Sequence, residues 1–202
     1  MFLPGASGNT RFWRPLADRL QPGGRRRFVG WPGFGGLPSD PHVKGIADLA
    51  TRVIDEMTGP VDLFAQSMGG VVAVLASLEK PSLVRHLVLS ATSGGIDMTD
   101  LGAADWRRRF RESNPGLPRW FEDERWDLAD RIREIPIPVL LLWGDADPIS
   151  PVAVGRRLAD LFPNAELLVL AGGTHDLALE RVDDILPHVE RHLARPVRTE
   201  AG

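Results

Sequence analysis

Short apolar runs alternate along this chain with amphipathic stretches. Runs of strand length occur at Phe2-Leu3, Phe28-Val29, 61–64, 86–89, 138–143 and 166–170. Between them, apolar residues recur at spacings of three or four, as on one face of a helix, within 13–20, 46–54, 71–78, 152–161 and 182–193. Because repeated strand–helix units cannot be joined by hairpins, the pattern predicts an open, mostly parallel α/β sheet flanked by helices on both faces.

One segment, residues 94–134, breaks this alternation. It has no strand-like run, and its large aromatic residues stand among many charged ones. The pattern predicts two or three short helices inserted into an α/β core formed by residues 1–93 and 135–202. These helices either cover the sheet surface or form a lid over a site. Aromatic residues without a full heptad favour the lid, with Trp106, Trp120 and Trp126 as candidate substrate-binding residues.

Composition narrows the class of protein. The length of 202 residues fits one domain, and 24 basic against 27 acidic residues give a net charge of −3, so nucleic acid is not the favoured partner. No stretch approaches the roughly 18 apolar residues of a membrane helix, and the first residues lack the pattern of a signal peptide, so we expect a cytoplasmic protein without membrane contact. The absence of cysteine excludes disulfides and thiol nucleophiles.

A candidate nucleophile lies between an apolar strand and a helix, in Ala65-Gln66-Ser67-Met68-Gly69. A sharp strand-to-helix turn exposes a serine hydroxyl and needs small residues two positions on either side, which Ala65 and Gly69 provide. The amide of Met68 and the helix dipole would then stabilise an oxyanion. The alternative is an ordinary N-cap serine.

A serine needs a base, and the best-placed histidine is His175. It follows the last predicted strand and precedes the last helix, on the edge of the sheet where α/β proteins carry their chemistry. His42 and His86 show no partner in the sequence. His188 and His192 are four residues apart on the last helix, but a solvated helix face is favoured over a metal site, and no metal is expected.

Two acids follow the fifth apolar run, Asp145 and Asp147, and either is able to orient the His175 ring. Both are also common turn residues. The order along the chain carries more information than the acids themselves. Serine, then acid, then histidine is the order of the α/β-hydrolase triad.

The sequence resembles the α/β-hydrolase superfamily, in its small lid-bearing branch of esterases, thioesterases and C–C bond hydrolases. The resemblance extends over nearly the whole chain and rests on the segments Leu3-Pro4-Gly5-Ala6, Trp31-Pro32-Gly33-Phe34-Gly35, Ala65-Gln66-Ser67-Met68-Gly69, Gly144-Asp145-Ala146-Asp147 and Gly173-Thr174-His175-Asp176. It implies that Ser67 is the nucleophile, Asp147 the acid and His175 the base. It also implies that the amides of Met68 and Ala6 form the oxyanion hole and that no cofactor is needed.

Three departures from the family pattern stand out. Ala65 replaces the first elbow glycine, Pro4 replaces the usual histidine of the oxyanion loop, and the family's first two strands have no counterpart before residue 1. The sequence leaves open whether this is a minimal hydrolase or a truncated chain. In either case the strand near Phe28 is expected at the edge of the sheet.

The resulting hypothesis is a serine hydrolase that cleaves a small-molecule ester or thioester of a small to medium acyl group through an acyl-enzyme. Two alternatives stay open: a non-enzymatic ligand-binding or signalling protein on the same scaffold, and a C–C bond hydrolase or lactonase with the same triad. The lid or the exposed sheet edge is a candidate surface for a homodimer.

Overall fold

The structure, a computed structural model, describes residues 1–21 and 23–197. Within these ranges five strands form one sheet in the order β1-β2-β3-β4-β5, and every neighbouring pair is parallel. The strands are β1 Phe2–Leu3, β2 Val61–Gln66, β3 Val84–Ser90, β4 Val139–Gly144 and β5 Ala165–Leu170. The predicted open parallel sheet is confirmed.

The helices of the described part are α1 Arg14–Arg19, α2 Ile46–Asp55, α3 Met68–Glu79, α4 Arg107–Ser113, α5 Trp120–Asp123, α6 Ala129–Ile132, α7 Val152–Leu161, α8 Leu177–Glu180 and α9 Val182–Leu193, with a 3₁₀ turn at Thr99–Leu101. Five of these helices, α1, α2, α3, α7 and α9, coincide with the predicted apolar periods, three short ones lie in residues 94–134 as expected, and α8 was not predicted.

Strand β4 shows why the strands are apolar at nearly every position. Its odd-numbered residues Val139, Leu141 and Trp143 pack in one hydrophobic core, with residues of α2, α3 and α7. Its even-numbered residues Leu140 and Leu142 pack in a second core on the opposite face, with residues of α1, α8 and α9. Successive side chains of a strand point to opposite faces, so a sheet covered on both sides buries each one.

The two edges of the sheet differ. Beyond β1, Phe28 forms an isolated parallel bridge with Phe2, and the two rings stack with centroids 4.8 Å apart. This places Phe28 at the sheet edge, as expected from the sequence. At the other edge, β5 has no outer neighbour among the described strands, and Val169 on it is 39% exposed.

Residues 94–134, named here the insertion, leave the sheet after β3 and return to it before β4. The insertion contains the 3₁₀ turn and helices α4, α5 and α6. Its aromatic side chains pack on one another: Trp106 stacks on Phe121 at 5.2 Å, and Phe110 meets Phe121 edge-on at 5.7 Å. Phe121 in turn contacts Phe34 of the core at 6.0 Å. The aromatic residues therefore hold the short helices together.

The structure corrects one expectation about the last helix. The sequence predicts a solvated helix face for His192, but this residue is 1% exposed and meets the His86 ring edge-on at 5.4 Å. Within the described residues neither of its ring nitrogens has a hydrogen-bond partner. Burial is the main cause that lowers the pKa of His192 to about 4, and His86 adds to it. The prediction was wrong because His192 lies on the face of α9 that packs against β3.

No helix among residues 1–21 and 23–197 has the length and apolar character that crossing a membrane would require.

Candidate active site

A cavity of about 1150 Å³ lies where the carboxyl ends of the strands meet the insertion. The core contributes Ser67 after β2, Ser93 after β3, Ile149 after β4 and His175 after β5. The insertion contributes most of the remaining wall. This is the position at which open α/β sheets bind ligands.

Ser67 occupies the sharp turn between β2 and α3. Its backbone has φ 51° and ψ −121°, a conformation that residues other than glycine rarely adopt. Ser67 N–H donates to Ser90 O at 3.0 Å, and Ser67 O accepts from Gly70 N–H at 2.9 Å. Such backbone strain persists only where the surroundings impose it, and it commonly marks a functional residue. The hydroxyl is thereby presented at the cavity wall.

Two small residues permit this turn. A Cβ on Gly69 would lie 2.5 Å from Pro4 O, so the first turn of α3 packs directly against the backbone that follows β1. Ala65, which replaces the expected glycine, is fully buried within the sheet and is accommodated there. The departure from the family pattern at this position therefore leaves the turn intact.

Thr92, two residues beyond the end of β3, supports the turn, and no motif in the sequence points to it. The Thr92 hydroxyl donates to Ser67 O at 2.6 Å and accepts from Gly94 N–H at 3.0 Å. It links the turn at Ser67 to the start of the insertion. A buried threonine just after a strand gives no sequence signal of such a role, since threonine is common in and around strands.

His175 and Asp147 form a hydrogen-bonded pair. The His175 Nδ1 lies 2.8 Å from Asp147 Oδ2, and Asp147 Oδ1 accepts from Ile149 N–H at 2.8 Å. The Asp147 side chain is fully buried, whereas the His175 side chain is 20% exposed and lines the cavity. Because a carboxylate only accepts, His175 Nδ1 carries the proton and Nε2 is left as an acceptor.

The loops that carry these two residues are joined by one side-chain and one backbone hydrogen bond and by close backbone packing. Asp145 Oδ1 accepts from Gly172 N–H at 2.6 Å, and Ala146 N–H donates to Gly173 O at 3.0 Å. A Cβ on Gly144 would lie 2.0 Å from Gly173 O. The two acids that the sequence left as alternatives thus have separate partners. Asp147 contacts the His175 imidazole, and Asp145 contacts the backbone of Gly172, in the loop that leads to His175.

The two candidate oxyanion donors both line the cavity. Ala6 follows β1, and Met68 is the first residue of α3. Among the described residues, neither Ala6 N–H nor Met68 N–H donates a backbone hydrogen bond outside its own element. The amides at the start of a helix have no partner within it, so Met68 N–H is available to a ligand. Ser67 Oγ and the His175 ring form no hydrogen bond with each other in the described part.

The three tryptophans proposed as substrate contacts do not lie together. Trp106 and Trp126 line the cavity. Trp120 is not among the lining residues of the described chain, and it packs edge-on against Phe34 with ring centroids 5.6 Å apart. The structure therefore places Trp120 between the insertion and the core, since Phe34 is fully buried.

The cavity wall contains both apolar and charged side chains. Its charged lining residues are Asp97, Asp105, Arg107, Arg109, Glu124, Arg125, Asp127 and Asp176. Loss of hydration is the main cause that raises the pKa of the Asp176 carboxyl, while the neighbouring His175 opposes the rise. Within residues 1–21 and 23–197, no three carboxylate or imidazole side chains come together as a metal-binding group.

Comparison with known families agrees with this geometry. A model described as "Alpha/beta hydrolase family" matches residues 1–129, and one described as "alpha/beta hydrolase fold" matches residues 108–182. The chain belongs to the alpha/beta hydrolase family.

Its relatives are esterases and other hydrolases. The pimeloyl-[acyl-carrier protein] methyl ester esterase of Legionella pneumophila is 23% identical, over 87% of this chain and 86% of that protein. The 2-hydroxy-6-oxononadienedioate/2-hydroxy-6-oxononatrienedioate hydrolase of Escherichia coli is 25% identical, over 96% of this chain and 84% of that protein. The solved structure of carboxylesterase CesB from Bacillus subtilis superposes with a TM-score of 0.77 at 17% identity, over 97% of this chain and 83% of that one.

Proposed function

We propose that this protein is a serine hydrolase of small-molecule esters or thioesters. The observation that carries the proposal is the hydrogen bond from His175 Nδ1 to the buried Asp147, beside a cavity that also holds the strained Ser67. A serine on a strained turn and a histidine oriented by a buried carboxylate are the parts that acyl transfer needs. Two similar proteins are named as a methyl ester esterase and a carboxylesterase, which supports the same reaction class.

Each residue has a role in the proposed mechanism. Ser67 Oγ attacks the substrate carbonyl while His175 Nε2 accepts its proton, and the imidazolium then protonates the leaving group. Asp147 holds the imidazole tautomer and stabilises its cation. Water, activated by His175, hydrolyses the acyl-enzyme. The N–H groups of Met68 and Ala6 bind the oxyanion, and each such donor is commonly worth about 3 kcal/mol in the transition state. Neither a metal nor an organic cofactor takes part.

The insertion serves as the lid of this site. It supplies the aromatic residues Trp106, Phe110 and Trp126 to the cavity wall. A volume of about 1150 Å³ lies above the range of roughly 300–1,000 Å³ typical of small-molecule pockets, which favours a medium acyl group over a small one. The short insertion alone predicts small to medium acyl groups, and the cavity volume favours the medium ones.

The test is turnover of p-nitrophenyl esters from acetate to dodecanoate by the wild type and by Ser67→Ala. We expect hydrolysis by the wild type and a loss of about 10⁴-fold or more in the variant. A fluorophosphonate probe should label Ser67 in the wild type, and mass spectrometry of the labelled peptide locates the adduct. Absence of both turnover and labelling would leave ligand binding without catalysis as the function.

A second candidate reaction is hydrolytic C–C bond cleavage, which a relative named as a dienedioate hydrolase favours. It uses the same scaffold, so fold alone does not separate the two reactions. A vinylogous 1,5-diketone assayed beside the ester series separates them: higher kcat/KM on the diketone than on every ester would favour the second candidate.

A further inference from the structure

Glu124, which no part of the proposed mechanism uses, lies in the cavity wall where the insertion meets α2. It follows helix α5, and it lines the cavity together with Ile46 and Trp126. The two oxygens of its carboxylate each lie 3.1 Å from Ile46 N, and Oε2 also accepts from Trp126 Nε1–H at 3.2 Å. One side chain thus joins a wall residue of the core to a wall residue of the insertion.

Helix α2 has no N-cap side chain at this end, and its own Asp48 accepts instead from Lys44 N–H, before the helix, at 2.7 Å. Its N-cap residue is Gly45, which has no side chain to accept from the first amides. The Glu124 carboxylate, 78 residues away in the chain, accepts from the amide of Ile46 instead. An anion is also favoured at a helix N-terminus by the dipole of the helix. The contact is therefore a cap supplied by the insertion.

The geometry of Gly45 shows how closely this contact is fitted. A Cβ on Gly45 would lie 2.3 Å from Glu124 Oε1, which is closer than atoms approach without one of them moving. The φ of Gly45 is −170°, an extended conformation open to any residue. Glycine at this position therefore leaves room for the Glu124 carboxylate. The backbone conformation does not require it.

The Glu124 carboxylate has no ion-pair partner among the described residues. The neighbouring Arg125 instead turns back to the main chain and donates to Glu122 O and Glu124 O, both at 2.8 Å. The donors that Glu124 uses are an amide and an indole N–H, and Oε2 accepts from both, so a side-chain amide with its oxygen in the Oε2 position retains an acceptor for each. The acceptor oxygen makes the hydrogen bonds, and the dipole of α2 adds a smaller preference for the charged carboxylate.

We propose that Glu124 is a positioning residue that sets the acyl-chain specificity of this site by fixing Trp126 of the insertion against the start of α2. The inference rests on the proposed ester hydrolysis. With the contact in place the wall between Ile46 and Trp126 is closed. Without it the insertion moves away from α2, and the cavity accepts longer acyl chains.

The experiment compares kcat/KM on p-nitrophenyl butyrate and decanoate for five variants. Glu124→Ala removes the acceptor, Gly45→Ala displaces it without altering it, and Glu124→Gln keeps an acceptor oxygen of equal reach. The matched controls are Glu134→Ala, an exposed carboxylate of the insertion, and Gly59→Ala, where a Cβ meets nothing within 4 Å. Active enzyme is quantified by fluorophosphonate labelling.

We expect Glu124→Ala and Gly45→Ala to raise the decanoate-to-butyrate ratio by roughly fivefold or more, mainly through KM for decanoate. Glu124→Gln and both controls should stay within about twofold of the wild type. A wild-type ratio in Glu124→Ala would overturn the inference. Equal shifts in Glu124→Gln and Glu124→Ala would also overturn it, because the amide retains the acceptor.

A second measurement separates this inference from the proposed function. Hydrogen exchange of the Ile46 amide reports the contact directly and needs no turnover. Protection that is present in the wild type and lost in Glu124→Ala supports the contact even if no ester is cleaved. Protection that is equal in the two proteins overturns it, whatever the activity.

Discussion

Asp145 accepts a 2.6 Å hydrogen bond from the backbone N–H of Gly172, three residues before the histidine that its neighbour Asp147 holds. The two carboxylates are separated by one residue, yet one fixes a loop and the other fixes an imidazole. This division of roles makes the two acids a matched pair for mutagenesis.

We expect Asp147→Asn to lower kcat by about 10⁴-fold, because an amide in place of the carboxylate no longer selects the productive tautomer of His175. Asp145→Asn should lower kcat by less than about tenfold, since the side-chain oxygen still accepts from Gly172 N–H. Ester hydrolysis by both variants, with circular dichroism to confirm folding, is the measurement. If Asp145→Asn abolished ester hydrolysis while Asp147→Asn kept a kcat near that of the wild type, the proposed roles of the two acids would be reversed.

The strain at Ser67 predicts a stability difference between two inactive variants. Ser67→Gly should be more stable than Ser67→Ala by about 1 kcal/mol, because glycine adopts positive φ without the clash of a Cβ. Urea midpoints of the two proteins give the difference. An alanine variant at least as stable as the glycine variant would mean that the turn relaxes when the hydroxyl is lost.

The close approach of Gly144 to Gly173 predicts that Gly144→Ala disrupts the pairing of Asp147 with His175. A Cβ placed 2.0 Å from a carbonyl oxygen forces the two loops apart. We expect a loss of at least about 2 kcal/mol of stability and at least about 10²-fold in kcat/KM. Gly59→Ala is the control and should behave as the wild type in both assays. Near-normal kcat/KM in Gly144→Ala would show that the two loops adjust independently of the site.

The different positions of the tryptophans predict different outcomes on truncation. Trp120→Ala should cost about 3 kcal/mol or more of stability, since Trp120 packs on the buried Phe34. Trp106→Ala or Trp126→Ala should shift acyl-chain preference by roughly tenfold and change stability by less than about 2 kcal/mol. Chain-length profiles and urea midpoints decide this. An altered profile in the Trp120 variant alone would place the acyl chain on the other side of the insertion.

Burial of His192 predicts a loss of stability in acid. Its pKa is about 4 in the folded protein against an ordinary 6.5, so the unfolded chain binds the proton more tightly and stability falls as pH drops from 6.5 towards 4. Between pH 7.5 and 4.5 this group should account for on the order of 2 to 3 kcal/mol. His192→Leu should flatten that part of the profile, whereas His188→Gln should not. Urea denaturation at both pH values is the measurement, and parallel profiles for His192→Leu and the wild type would contradict it.

The strands and the longer helices were predictable because each leaves its own pattern of apolar residues in the sequence. Strand β4 is apolar at almost every position, and helix α9 repeats apolar residues at spacings of three and four. Ser67 and His175 were found for a related reason: both stand on loops that directly follow strands, and parallel strands bring such loops to one edge.

What escaped prediction depends on contacts between distant parts of the chain. The role of Glu124 needs α2 beside the insertion, and 78 residues separate the carboxylate from Ile46. His192 was placed in solvent because the spacing to His188 shows a shared face but not which face the sheet covers. Trp120 and Trp126 look alike in sequence, and only packing against Phe34 separates them. Local pattern carries no information about such pairings.

The packing of Gly69 against Pro4 O means that the serine turn and the oxyanion loop meet through main-chain atoms. The distance between the nucleophile and the proposed donor at Ala6 is then independent of side-chain identity elsewhere in the cavity. Gly94, at the start of the insertion, donates to the Thr92 hydroxyl that holds the serine turn, whereas the main-chain contact between Gly69 and Pro4 involves no residue of the insertion. New substrate preferences are therefore accessible to this protein by single substitutions in residues 95–134, and directed evolution confined to those residues should retain catalysis in most of its library.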